Sequence, residues 1–408
     1  MTTTAPPPAP PAPVRYRDVL TAPHVARLLA GAVIGHLPVA MAPLAILLAV
    51  RADHGSLSLA GTLAAVYGLT AALGQPALGR LLDRRGHTTT LTLSTACSTA
   101  AFTALALLHP AGQPAAAAAV TALAGVSTPP LEAALRVLWP HVLRRADARR
   151  AALALDGCAQ ECVFIAGPLL VLVLNNCSSP GTVLGATALT GLAGVALFLS
   201  ADPARCWTPA PRTAATWLGP LHAPGPRALA AAFLGTGIAL GALNVIALAA
   251  AERHHAGYLA TLIPAALAVG SLTGGLLYGR RLWPGQPPAQ LRSTAAGILL
   301  GLLLVLPDPS PAWAVLAATV PGLFLAPFLI TAFTALDHLA PDGTLGEASA
   351  WLIACLGLGQ SAGTALTGAA AAYGHTAATG IALTGAALAV AVLTLTRRHL
   401  TPRTAHHP

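Results

Sequence analysis

The sequence predicts an all-α membrane protein of twelve transmembrane helices in two six-helix halves. Three observations carry that fold class. Only 9% of the 408 residues are charged, against about 25% in soluble domains, and the mean hydropathy is +0.69, so the chain requires an apolar solvent around it. Charge-free runs alternate with short basic loops, and runs of about 20 residues are long enough to cross a bilayer as helices. The second half of the chain echoes the first at an offset near 200 residues.

The loop that orients the chain is Gly79-Arg80-Leu81-Leu82-Asp83-Arg84-Arg85-Gly86-His87. The runs Leu57 to Leu78 and Thr89 to Leu108 on either side contain no charged residue. A connection this short makes the two helices antiparallel neighbours. Gly79 and Gly86 are expected to supply sharp backbone geometry at its ends. Three arginines in one short loop mark the cytoplasmic side.

Extending that logic gives spans near 25–50, 57–79, 88–108, 114–139, 151–174, 180–201, 228–250, 256–279, 292–306, 311–335, 347–371 and 376–396. Both termini then fall on the cytoplasmic side. All 22 basic residues are arginine, and 20 of them fall on that side, leaving only Arg51 and Arg253 outside. The formal charge of +9 is therefore a matter of topology and of attraction to anionic lipid, not of nucleic-acid binding. Residues 1–23 form a proline-rich tail expected to be disordered, with six prolines among the eight residues from Pro6 to Pro13. The first half is 24–201, a polar linker expected in the cytoplasm spans 202–227, the second half is 228–396 and a cytoplasmic tail occupies 397–408.

The internal echo is specific in position. Leu78-Gly79-Arg80 matches Tyr278-Gly279-Arg280, Gly125 and Pro130 match Gly322 and Pro327, and Gly167 matches Gly363. Trp283 stands where the first copy has Asp83. Gly-x-x-x-Gly pairs such as Gly270/Gly274 and Gly359/Gly363 predict close helix packing.

Ionisable side chains at membrane depth are few, and such residues face the interior of a bundle. They are His36 in span one, Glu132 and Arg136 in span four, and Asp156 and Glu161 in span five. Asn244 and Gln360 are uncharged polar candidates in the second half. Glu132 and Arg136, four apart, are neighbours on one helix face behind Pro129-Pro130, which should kink the span. They read either as an internal ion pair or as a relay in which Arg136 engages Asp83 or an anionic substrate. Glu161 lies about ten residues into its span, roughly 15 Å deep, and is the deepest carboxylate. It reads as the proton-coupling group, with Arg136 opposing it, or as a hydrogen-bonded packing residue. Asp156 reads as interfacial and His36 as a packing histidine or a proton carrier. Gly167-Pro168 is a helix kink. Thr344-x-x-Glu347 reads as a capping box at the start of span eleven. Cys158 and Cys162 share a helix face, but no His or carboxylate spacing completes a metal site, and no cofactor is expected.

The pattern Gly79-x-x-x-Asp83-Arg84-x-Gly86 followed by a basic residue, placed after span two, resembles the loop 2–3 signature of the major facilitator superfamily of transporters. His87 stands where that family usually has Arg or Lys. The resemblance implies the two-half fold and alternating access. It also implies docking of Asp83 at the start of span eleven, near Glu347, with Arg84 or Arg80 as the partner of Glu347. Arg136 resembles the span-four arginine of proton-linked members, and Gly167-Pro168 resembles the antiporter motif of drug exporters. The resulting expectation is a monomeric, proton-coupled exporter of a small, largely apolar compound in the inner or plasma membrane. Its partners are then lipid, protons and the substrate, with no nucleic acid. The alternatives are an importer of a small organic solute with the same fold, and a polytopic membrane transferase. The sequence contains no Asp-x-x-x-Asp pair for a transferase and no lysine for a phosphate-binding Gly-x-x-x-x-Gly-Lys loop, so no enzymatic activity is expected.

Overall fold

The computed structural model describes residues 15–209, 219–280, 283, 286–305, 307, 310–370 and 375–400, and only the backbone at Leu57 and His375. Residues 1–14 of the tail 1–23 expected to be disordered, the middle of the linker and the last eight residues lie outside this range; the rest of that tail is instead ordered, with a short helix over Tyr16–Leu20 that buries Val19. Helices follow in the order α1 Tyr16–Leu20, α2 Val25–Ala52, α3 Leu57–Leu107, α4 Pro114–Val126, α5 Leu131–Val142, α6 Ala146–Cys177, α7 Pro180–Leu199 and α8 Asp202–Arg205. The second half contributes α9 Pro224–Arg253, α10 Leu259–Arg280, α11 Pro287–Leu303, α12 Pro311–Leu339, α13 Leu345–Ala370 and α14 His375–Leu395. Among the described residues, nine helices are long and apolar enough to cross a membrane.

Twelve crossings are consistent with this set. Helix α3 is 51 residues long and contains one non-helical residue, Gly86, at φ +84. It is therefore two antiparallel crossings with a turn only glycine adopts easily. Gly79, expected to shape the same turn, instead sits inside a helix, and its role is contact with α13. Span four, expected as one kinked helix, is broken into α4 and α5 across Ser127–Pro130. Consecutive prolines at 129 and 130 remove two backbone donors, so the helix ends and restarts rather than bending. Helix α11, at 17 residues, is short for a crossing.

The repeated glycines do the same work in each half. A Cβ on Gly125 would lie 2.5 Å from the Tyr67 carbonyl on α3, and one on Gly322 would lie 2.2 Å from the Leu267 carbonyl on α10. Gly167 abuts Ala40 of α2, and Gly363 abuts Ile238 of α9. The same pair of spans thus closes at the same glycine in both copies.

Contacts between the halves concentrate at the arginine-rich end. There α13 packs on α3 and α5, and α10 and α12 pack on α6. Tyr16 of α1 also crosses, its hydroxyl donating to the Leu276 carbonyl at 2.6 Å while Arg280 covers its ring. Toward the other end, α6 leaves Phe164, Ile165, Leu169, Leu172 and Val173 exposed.

Candidate functional site

Two constructions hold the chemistry. The first is a latch at the arginine-rich end. Asp83 is 2% exposed, and its two carboxylate oxygens accept the backbone N–H groups of Gly346 at 3.0 Å and Glu347 at 2.7 Å. These are among the first amides of α13, which have no acceptor within their own helix. A carboxylate there also meets the positive end of the helix dipole. Arg80 completes the latch by donating through Nε at 3.0 Å and Nη2 at 2.6 Å to Glu347 Oε1. The backbones must approach closely for this to form. A Cβ on Gly79 would lie 2.7 Å from Ala350 Cβ, and one on Gly346 would lie 2.5 Å from Asp83 Oδ1.

Of the two arginines expected near Glu347, Arg80 is the one that meets it; Arg84 lies on the solvent face of α3 and is exposed. One expectation is corrected here. The capping box does not form. The Thr344 hydroxyl donates to the Pro341 carbonyl, and the Glu347 amide it would have capped is taken by Asp83 from the opposite half. His87, beyond the Gly86 turn, is fully buried and lies 3.1 Å from the Ala134 carbonyl against Trp207.

The second construction is a buried charge cluster from α2, α5 and α6. Arg136 Nη2 lies 3.1 Å from Glu132 Oε2 and 3.6 Å from Asp156 Oδ2. His36 Nε2 lies 3.3 Å from Glu132 Oε1, and its ring meets Phe164 edge-on. Gln160 is within hydrogen-bonding reach of both carboxylates. The face of the Arg136 guanidinium lies over the ring of Phe333 on α12, 3.7 Å from its centroid. Arg136 is 8% exposed and Asp156 3%.

This geometry corrects the reading of the carboxylates. Asp156 is not interfacial but faces Arg136. Glu161 does not: it is half-buried and reaches Ser271 of α10. Arg136 therefore opposes Asp156 and Glu132 rather than Glu161, and it makes no relay with Asp83, whose oxygens are engaged on α13. His36 is joined to Glu132 rather than isolated. Gly167 and Pro168 lie inside a continuous α6, with Gly167 against α2. Asn244 and Gln360 are exposed on the adjacent helices α9 and α13. The residues that sequence reasoning missed are Gln160 and Phe333. Gln160 carried a signal, being four residues after Asp156 and so on the same face; Phe333 carried none. Among the described residues, no three His, Cys, Asp or Glu side chains converge to hold a metal.

One guanidinium between two carboxylates balances one negative charge. The least compensated carboxylate is Asp156, whose contact with Arg136 is the longer one and which lacks the histidine that Glu132 has. A proton on Asp156 would complete neutrality in a site where an unbalanced charge is costly.

Comparison with known proteins follows the same lines. No curated protein sequence matches this chain. The human organic anion transporter MFSD10 superposes with a TM-score of 0.71 at 16% identity, over 94% of this chain and 100% of that one. A bacterial homologue of the iron transporter ferroportin, in its outward-facing state, superposes with a TM-score of 0.75 at 14% identity, over 94% of this chain and 100% of that one. At such identities the likeness is one of fold. The family model of the Major Facilitator Superfamily matches residues 28–352, and the chain belongs to that superfamily of membrane transporters.

Proposed function

We propose that this chain is a proton-coupled exporter of a small, largely apolar compound, working by alternating access. The observation that carries the reading is the buried cluster in which Arg136 serves two carboxylates, so that a single proton changes its balance. Asp156 is the proposed proton carrier and His36, Glu132 and Gln160 its immediate setting. The Asp83 latch closes the arginine-rich end, which the positive-inside rule assigns to the cytoplasm. The conformation is then outward-facing, as in the ferroportin homologue. Both termini lie in the cytoplasm, the membrane is the inner or plasma membrane, and the working unit is a monomer.

An anionic substrate at Arg136 is disfavoured by geometry. Its Nη2 already meets two carboxylates, whose charges repel an incoming anion, and its face is covered by Phe333. An apolar substrate fits the exposed Phe164, Ile165 and Leu169 on α6, with Asn244 and Gln360 as sparse hydrogen-bonding groups.

Proteoliposomes test the reading. Loaded with a fluorescent lipophilic dye or a labelled organic acid, they should move the dye, chemically unchanged, only under an imposed pH gradient. Movement of the organic acid alone would favour the importer, and chemical conversion of either probe would favour an enzyme.

A further inference from the structure

The charge cluster belongs to the first half, yet transport requires that it bias how the two halves meet. Among the described residues, every hydrogen bond, ion pair and ring contact of His36, Glu132 and Asp156 stays within the first half. Arg136 has, among the described residues, one such contact that crosses, its stack on Phe333. We propose that Phe333 is the positioning residue that links protonation of the cluster to closure of the arginine-rich end. This rests on the proton-coupling reading above.

Phe333 is built for the task. It is 6% exposed and is fixed edge-on against Phe233, which itself packs on Phe328. The ring therefore presents a fixed face, and a desolvated guanidinium over such a face is held more strongly than one in water. Two carboxylates hold the other edge of the guanidinium, so Arg136 bridges α5, α6 and α12. Among the described residues its Nε and Nη1 have no hydrogen-bond partner, so no further bond to them ties it in place. Arg136 and Phe333 also line a small cavity with Arg149 and Asp337.

The direction of coupling follows. With both carboxylates ionised, Nη2 is held from two helices and the guanidinium face is kept on Phe333, which favours the closed end. A proton on Asp156 removes the pull from α6, the guanidinium is free to turn toward Glu132 and His36, and the contact across the halves weakens. Arg149 of α6 and Asp337 of α12 also face this point and attract each other across the halves. Asp337 is itself a titratable carboxylate whose protonation weakens the closed end in the same direction, so the comparison below is made in an Asp337→Asn background. Acidification should therefore open the arginine-rich end, as an exporter that discharges protons inward requires. The effect operates through differential stability of two states.

The test uses the full chain without its native cysteines and with Asp337→Asn, spin-labelled at the exposed positions Arg85 and His338, with inter-label distances measured across pH. In this background the closed population should fall on acidification. Phe333→Leu should lower the closed-to-open ratio about tenfold at alkaline pH and flatten its pH dependence, whereas Phe333→Tyr, which keeps the ring, should retain both. A normal pH response that Phe333→Leu leaves unchanged overturns the role of Phe333 alone. A flat response in the background itself overturns the proton-coupling reading, and the link drawn here with it.

Discussion

The two copies of the loop after the second span of each half have diverged in how they grip the opposite half. In the first copy, Asp83 caps α13 through two buried hydrogen bonds and Arg80 pairs with Glu347. In the second copy, Trp283 replaces the aspartate and stacks on Tyr278, at 5.5 Å between centroids. The helix packed on α10 from the opposite half, α6, does carry an acidic residue in its first turn, but that Asp147 is paired with Arg145, and Arg150 of α6 lies 5.9 Å above the Tyr278 ring. The same fold position thus carries an anion-to-helix-dipole contact on one side and a cation-to-aromatic contact on the other. The first is buried and directional, and the second is looser. One strong and one weak latch suit a gate that must hold and still release.

That asymmetry can be broken at its strong side first. Asp83→Asn retains the size but loses the charge on two amide contacts; hydrogen bonds to charged groups contribute about 1.5–3 kcal/mol each. The closed-to-open ratio should fall by about two orders of magnitude at unchanged protein abundance, measured by inter-half distance distributions. Gly79→Ala should act in the same direction, because its Cβ would meet Ala350 and the Gly346 carbonyl.

At the weak side, Arg150→Gln should cost less. A partly exposed cation over a ring contributes about 0.5–1 kcal/mol, so the ratio should change by only a few-fold. If Arg150→Gln matched Asp83→Asn in effect, the two latches would be equivalent and the asymmetry would have no functional meaning. Tyr16→Phe, which removes one neutral hydrogen bond across the halves, should cost about 1 kcal/mol, read as a small rise in protease access to the arginine-rich end.

The smallest effect is expected at the opposite end, within one half. Asp53 accepts the Ala111 N–H at 2.7 Å and lies 3.2 Å from His109. The Ala111 amide first, then His109, holds its carboxyl below the usual range. A depressed carboxyl contributes stability above its unfolded value, near 3.9, and loses it as pH falls through the lowered folded value. The site is exposed, so Asp53→Asn should leave transport intact and only remove a slight acid sensitivity of that loop, read by amide exchange.

What was legible in the sequence is what depends on one helix or on a repeated pattern. The loop around Asp83, through its resemblance to the superfamily's signature, pointed to the docking site on α13, and the paired glycines at 125/322 and 167/363 marked the same helix contacts in each half. What was not legible depends on the azimuth of one helix against another. Depth along α6 favoured Glu161, but Glu161 is five residues beyond Asp156 and so about 140° around the helix, facing α10 instead of Arg136. Two i, i+4 polar pairs, Glu132/Arg136 and Asp156/Gln160, were the available signal that α5 and α6 present polar faces to each other. Thr344-x-x-Glu347 misled because its amide was claimed from 264 residues away. Phe333 could not be told from any other aromatic of a packed span.

The central claim is that the charge state of Asp156 governs which end of the transporter is closed. Asp156→Asn fixes that side chain in a neutral, near-isosteric form, and Glu161→Gln is the matched control one turn away. The most direct measurement is the closed population at the arginine-rich end as a function of pH in both variants, each made in the Asp337→Asn background. Asp156→Asn should hold the acid-like population at every pH, while Glu161→Gln follows that background. A pH response that persists in Asp156→Asn and vanishes in Glu161→Gln would contradict the account and return the coupling role to Glu161.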